Sequence, residues 1–258
     1  MVQITSTPLP PLPRLERLEN PETPRNESAA SPGERPGPAS AVRAPGGDSD
    51  GDSGRTLARK REILNAASRV WRRRGLRATG MRDIAAELGM AVGNLYYYFR
   101  DRDELLAFVQ DDALAGLLEH GERVRRLPLR ADAKLYTLIV GHVLRVNEET
   151  PGSLAHLEVE ALREPFRQPL QTRRDAYEQI LRELIEEGTA AGLLRPADPK
   201  VAALTVLGAI NWTVRWFRPD GGKSAEEIGH EAAELLVRGL LAPGVELAIP
   251  PRLAPLEP

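Results

Sequence analysis

The chain has 258 residues, 41% apolar and 28% charged, no cysteine, and a formal charge of −2. That is enough apolar material for a sizeable core; the lack of cysteine excludes a disulfide framework, a thiolate metal site and a thiol nucleophile, and fits a reducing cytoplasm. No run of 18 apolar residues exists, which argues against a membrane-spanning helix, and the first residues lack the basic-then-apolar order of a signal peptide.

Residues 1–54 read as a disordered tail. Ten of the 22 prolines lie there, and GGDSDGDSG is an acidic flexible linker by composition. The tail carries 5 basic and 8 acidic residues, the wrong sign for an arm in a DNA groove.

Residues 55–103 reverse that sign, with 12 basic against 5 acidic residues, which is the footprint of a phosphate-binding surface. Ile63, Ala67, Val70 and Trp71 recur at helical spacing, with Arg59, Lys60, Arg69, Arg72 and Arg73 on the other face. Gly75 suits a helix C-terminus where φ is positive. Thr79 is the expected cap of a second helix, with Asp83 in its first turn and Ile84, Ala85 and Leu88 on its apolar side. Gly89 ends it, and Met90 fills the gap between two crossing helices. A short third helix, Val92 to Phe99, turns Leu95 and Phe99 inward. Helix, glycine turn, helix is the helix-turn-helix order, in which the second helix reads base edges. The face left over is Val92, Gly93, Asn94, Tyr96, Tyr97 and Tyr98. Three consecutive tyrosines on so short a helix cannot all be buried, tyrosine hydroxyls reach DNA phosphates, and an asparagine can pair with adenine.

Asp101 starts a long helix, followed by helices over Leu135–Val146, Ser153–Leu162, Glu164–Gly192 (Gly188 and Gly192 at its fraying end), Val201–Phe217 with Pro199 in its first turn, and Ser224–Leu241 with Ser224 as cap. Nothing alternates with period two, so the fold class is all-α: a head at 55–103, a body at 104–243 and a disordered end at 244–258. The last two helices carry more apolar surface than one copy needs, which marks an interface.

The order of a basic first helix, MRDIAAELGM, GNLYYYF and RDRDELL resembles the DNA-binding domain of TetR-type transcriptional regulators, over about 50 residues. Ala91 departs from the usual Ser or Thr that caps the recognition helix and touches a phosphate, and Arg102 stands where Lys is frequent. On the matching positions the resemblance implies a DNA surface of Lys60, Arg77, Thr79, Gly80, Met81, Ala91, Val92, Gly93, Asn94, Tyr96, Tyr97, Tyr98 and Arg102. In it Lys60, Arg77 and Arg102 hold phosphates, Thr79 caps and touches a phosphate, and Val92 and Asn94 meet bases. It also implies a homodimer through the last two helices, a palindromic double-stranded operator, and a body that binds a small effector. Repression relieved by that effector is the expected activity.

Polar candidates for the effector pocket are His142, Arg145, His156, Glu160, Arg163, Tyr177, Asn211, Trp212, Arg215 and Trp216. The stretch WTVRWFRPDGG followed by SAEEI is similar to one in members that respond to acyl-coenzyme A thioesters, and arginines suit that ligand's phosphates. The simpler reading of Trp212 and Trp216 is an aromatic pair at the dimer interface, and of His156 with Glu160 a solvated pair. Only four histidines exist, scattered along the chain, so no metal site is expected, and no cofactor. A glycine-rich phosphate loop, a G-x-S-x-G elbow and H-E-x-x-H are all missing, so neither an enzyme nor catalytic residues are expected. A non-specific architectural DNA-binding protein is the alternative.

Overall fold

The computed structural model describes residues 49–76, 78–149 and 162–250. By its contacts the chain divides into residues 1–55 and 56–258, and the second unit carries both the head and the body. The described residues form eight α-helices and no sheet, only an isolated bridge between Leu194 and Leu241. They are α1 Ser49–Arg74, α2 Met81–Glu87, α3 Val92–Tyr98, α4 Arg102–Arg125, α5 Ala131–Leu144, α6 Arg167–Ala190, α7 Pro199–Trp216 and α8 Ala225–Leu240. A π-helical turn, Arg145–Glu149, extends α5. No described helix is long and apolar enough to cross a membrane.

The all-α expectation is borne out, with corrections at the edges. Helix α1 begins at Ser49, six residues inside the stretch read as flexible linker. Extending a formed helix costs far less than nucleating one, so an unfavourable composition does not stop it at once. The expected helix at Ser153–Leu162 lies almost entirely outside the described residues. At the other end, residues 245–248 are held against the body. Asp132 at the start of α5 is fully buried, and its carboxylate accepts from the Ala248 amide at 3.0 Å and from the Arg130 guanidinium at 3.1 and 3.2 Å. A buried carboxylate needs such partners, and Leu247 packs beside them on the body core.

Gly188 does not mark fraying. Gly192, at φ 70°, ends α6 with its amide on the Thr189 carbonyl (3.0 Å) and Leu193 on that of Gly188 (2.9 Å), a paired closure that only a left-handed residue allows easily. The chain then folds Leu194 across Gly188, where a Cβ would stand 2.6 Å from the leucine side chain. The small residue is there to admit Leu194.

Two apolar clusters result. One joins α1–α3 to the first half of α4 and takes in Leu162, Phe166 and Leu170 from around the start of α6. The other fills the space among the second half of α4 and helices α5–α8. Helix α4 runs through both.

Candidate DNA-binding head and polar body centre

The head is built around closed helix ends. Gly75, at φ 83°, ends α1 with its amide on the Trp71 carbonyl at 2.8 Å. Thr79 does not cap α2: its buried hydroxyl turns back and donates to the Gly75 carbonyl at 2.8 Å. Gly80 is the cap residue, and its amide donates to the Asp83 carboxylate at 2.9 Å. Gly89, at φ 62°, closes α2, with Gly89 N–H on the Ala86 carbonyl and Met90 N–H on that of Ala85. This is the turn of the helix-turn-helix, and it sends the chain directly into α3. Met81, another candidate, is buried at the first position of α2.

Helix α3 anchors through Leu95 and the following Phe99, both buried as expected. Ala91 stands at its N-cap in extended conformation with no side-chain cap. Exposed amides at a helix start form a ready anion site. Gly93 and Asn94 are exposed, Tyr96 is 48% and Tyr97 81% exposed, and Val92 and Tyr98 are half-buried. Tyr97 and Tyr98 meet edge to face at 5.1 Å between centroids.

The cations are placed differently from the expectation. The Arg102 guanidinium donates to the Thr79 carbonyl at 3.2 Å and the Leu76 carbonyl at 2.7 Å, so it clamps the α1–α2 loop. The Lys60 ammonium sits over the rings of Phe99 (5.2 Å) and Phe108 (5.7 Å). Arg69 and Arg73 both grip Glu87 of α2, whose carboxyl their hydrogen bonds hold below the usual range, and Arg74 meets Asp83 at 2.7 Å. These cations bind the head's own carbonyls, rings and carboxylates, while Arg69, Arg73 and Arg74 stay more than half exposed. Arg77 lies outside the described residues, as do His156 and Glu160.

Of the effector candidates, three meet in the body. The buried His142 imidazole bonds to the Tyr177 hydroxyl through Nδ1 (3.1 Å) and to Asn211 Oδ1 through Nε2 (3.1 Å), which joins α5, α6 and α7. Burial pushes the Tyr177 phenol well above its ordinary range. Arg145 reaches α4, where a Cβ at Gly116 would stand 2.8 Å from its Nη1, and its charge acts on Tyr177 and on His120. Sequence reasoning passed over His120, which is buried on α4 with its ring against Gly141 of α5 and its pKa lowered to about 4. Nothing in its sequence surroundings separates it from a surface histidine.

The remaining candidates belong elsewhere. Trp212 and Trp216 are 61% and 49% exposed on α7, with the Arg215 guanidinium 6.0 Å from the Trp212 ring centroid. Trp216 lines a cavity of about 710 Å³ between α7 and α8, with Phe217, Ile228, Leu235 and Leu236. Arg163 lies beside the head, on Asp101 and Asp103.

Comparison with known proteins follows the same division. Residues 63–109 match the family described as bacterial regulatory proteins, tetR family, and residues 128–240 match the tetracyclin repressor-like C-terminal domain. A transcriptional repressor, KstR2 of Mycolicibacterium smegmatis, is 26% identical over 186 residues, covering 70% of this chain and 90% of that protein. The solved structure of the TetR family regulator PfmR from Thermus thermophilus superposes with a TM-score of 0.63 at 30% identity, covering 68% of this chain and 97% of that one. AibR, solved in complex with isovaleryl coenzyme A and operator DNA, gives 0.63 at 28% identity over 72% of this chain and 99% of its own. The two matched regions fall on the head and the body in order, and a relative 30% identical aligns over nearly its whole length, so the chain belongs to the TetR family and is a helix-turn-helix DNA-binding transcriptional regulator.

Proposed function

We propose that the chain is a homodimeric, cytoplasmic, non-enzymatic repressor that grips a palindromic operator through α3 and releases it when an acyl-coenzyme A-type effector enters the body. Residues 55–103 form the head and 104–243 the body. One observation supports the DNA reading above others: Asn94, Tyr96 and Tyr97 stand together in solvent on a helix anchored from behind by Leu95 and Phe99. Asn94 reads adenine, and the tyrosines meet phosphates.

The dimer follows from α7 and α8. Val201, Leu204, Trp212, Trp216 and Leu235 are all exposed there. A second copy covers this face and places two α3 helices on half-sites about 34–36 Å apart, one DNA turn. The effector reading is supported by the polar centre around His142, Tyr177, Asn211 and Arg145, and by AibR, whose solved complex contains isovaleryl coenzyme A.

Selection of duplexes from a random pool, with and without acyl-coenzyme A thioesters, tests both parts. A palindrome should be recovered, and a thioester should lower its retention. Asn94→Ala and Tyr97→Ala should each abolish binding without splitting the dimer. Equal binding of all duplexes would instead make the protein an architectural binder, and retention unaffected by any thioester would remove the effector assignment.

A further inference from the structure

The head and body are joined along α4, but a second junction lies beside it. Arg163 stands in the turn that opens α6, where its carbonyl accepts from the amides of Phe166 (3.1 Å) and Arg167 (3.3 Å). Its side chain crosses to α4: Nη2 reaches Asp101 Oδ2 at 3.1 Å, and Nε pairs with Asp103. Leu162, Phe166 and Leu170 flank this contact and pack into the head's own apolar cluster.

The two carboxylates occupy a sensitive place. Only residues 99–101 separate the end of α3 from the start of α4. Asp101 caps α4 through its other oxygen, Oδ1, which accepts from the Glu104 amide at 2.8 Å. Glu104 in turn accepts from the Arg100 amide at 2.7 Å. Between the two aspartates, Arg102 clamps the carbonyls of Leu76 and Thr79. The helix that presents Tyr97 is therefore tied to the first turn of α4, and Arg163 holds that turn from the body side.

The far end of this junction reaches the polar centre. From Arg167 to Tyr177 is ten residues of α6, about 15 Å of helix. Tyr177 is hydrogen-bonded to His142.

We infer that Arg163 is a positioning residue for DNA recognition: by bridging Asp101 and Asp103 it sets the attitude of the recognition helix. This rests on the reading of α3 as the DNA-contacting helix. The contact is a second link to the first turn of α4 beside the helix's own backbone, and it is exposed, with the Arg163 side chain 70% open to solvent. An exposed pair is easily broken, which suits a contact that must be released.

The test is a double-mutant cycle with Arg163→Gln and Asp103→Asn in the full-length dimer. The probe is a labelled duplex carrying the palindrome selected by the unaltered protein, and a scrambled duplex at the same salt is the reference. Each single change should weaken palindrome binding by roughly fivefold, the scale of one coupled ion pair, and the double change should weaken it no further. Binding to the scrambled duplex and the salt slope should not change, whereas a direct phosphate contact would lower both. Arg163→Lys should keep most of the affinity. Additive losses, a reduced salt slope, or wild-type affinity in Arg163→Gln would each overturn the inference. If the unaltered protein selects no palindrome, the reading of α3 fails instead, and the two failures are distinguishable.

Discussion

Acid should destabilise this fold through His120. The imidazole is 4% exposed on α4, and Arg145 and Arg123 add positive charge around it. Burial is the largest cause of its depressed pKa, the two arginines are the next, and together they bring it from 6.5 to about 4. The folded protein thus holds His120 neutral while the unfolded chain takes up a proton below about pH 6.5. The unfolded state binds more protons between these values, so stability falls as the pH is lowered from 6.5 towards 4 and levels off below. At about 1.4 kcal/mol per pH unit, the drop from this one group is about 3 kcal/mol. Asp111 and Asp112, whose carboxyls burial pushes up, work in the opposite sense. The wild-type curve alone therefore does not isolate His120.

The difference from His120→Gln does. Urea unfolding at fixed protein concentration, between pH 4.5 and 7, should show a steeper loss of stability in wild type than in the variant. Fixed concentration matters because a dimer's midpoint moves with mass action. Proton NMR gives the same quantity directly, since the chain has only four histidines to assign. A His120 resonance that titrates near pH 6.5, or parallel stability curves for the two proteins, would show that burial does not hold this imidazole neutral.

Arg102→Met should strip the Leu76 and Thr79 carbonyls of their donor, cost about 1–3 kcal/mol and raise hydrogen exchange in residues 76–81 ahead of the body. Unchanged exchange there would show that the clamp is not needed. Gly188→Ala should lower the melting temperature, because overpacking against Leu194 costs about 1–3 kcal/mol while the helix propensity of alanine returns at most about 1; a higher melting temperature would contradict this. Leu235→Asp, at a site 75% exposed on α8, should leave the fold intact and shift the protein to monomer by sedimentation; a stable dimer would move the interface elsewhere.

Some features could be read from residue order because the physics behind them is local. Gly75 and Gly89 adopt positive φ where the chain must turn, and Ser224 caps α8, its hydroxyl accepting from the Glu227 amide at 3.1 Å. Leu95 and Phe99 point inward because helical spacing leaves them no other face. The cap of α2 falls one residue later than residue order suggests, for an equally local reason. Thr79 and Gly80 are both compatible with a helix start, and the choice fell to Asp83, which reaches the Gly80 amide, and to the Gly75 carbonyl, which takes the Thr79 hydroxyl. Spacing alone does not rank those two bonds.

The cations were harder to place, for a reason that bears on how the head works. A count of charges gives the field a surface exerts but not the partner each side chain holds. Arg69 and Arg73 share one glutamate, Lys60 lies over two rings, and Arg102 binds carbonyls 23 and 26 residues earlier in the chain. Each partner lies on another element, so it is invisible to periodicity. These contacts change what the basic surface does. The positive excess still attracts a polyanion over a Debye length, since pairing redistributes charge within the head without removing the net sign. But an arginine that must leave Glu87 to meet a phosphate gains less than a solvated one, because it exchanges one carboxylate bond for one phosphate bond. Groups that exchange nothing but water gain most on docking, and on α3 those are Asn94, Tyr96 and Tyr97. On the proposed reading of α3, the arginines of this head supply attraction and rigidity, while the uncharged face of α3 supplies the contacts that depend on which duplex is bound.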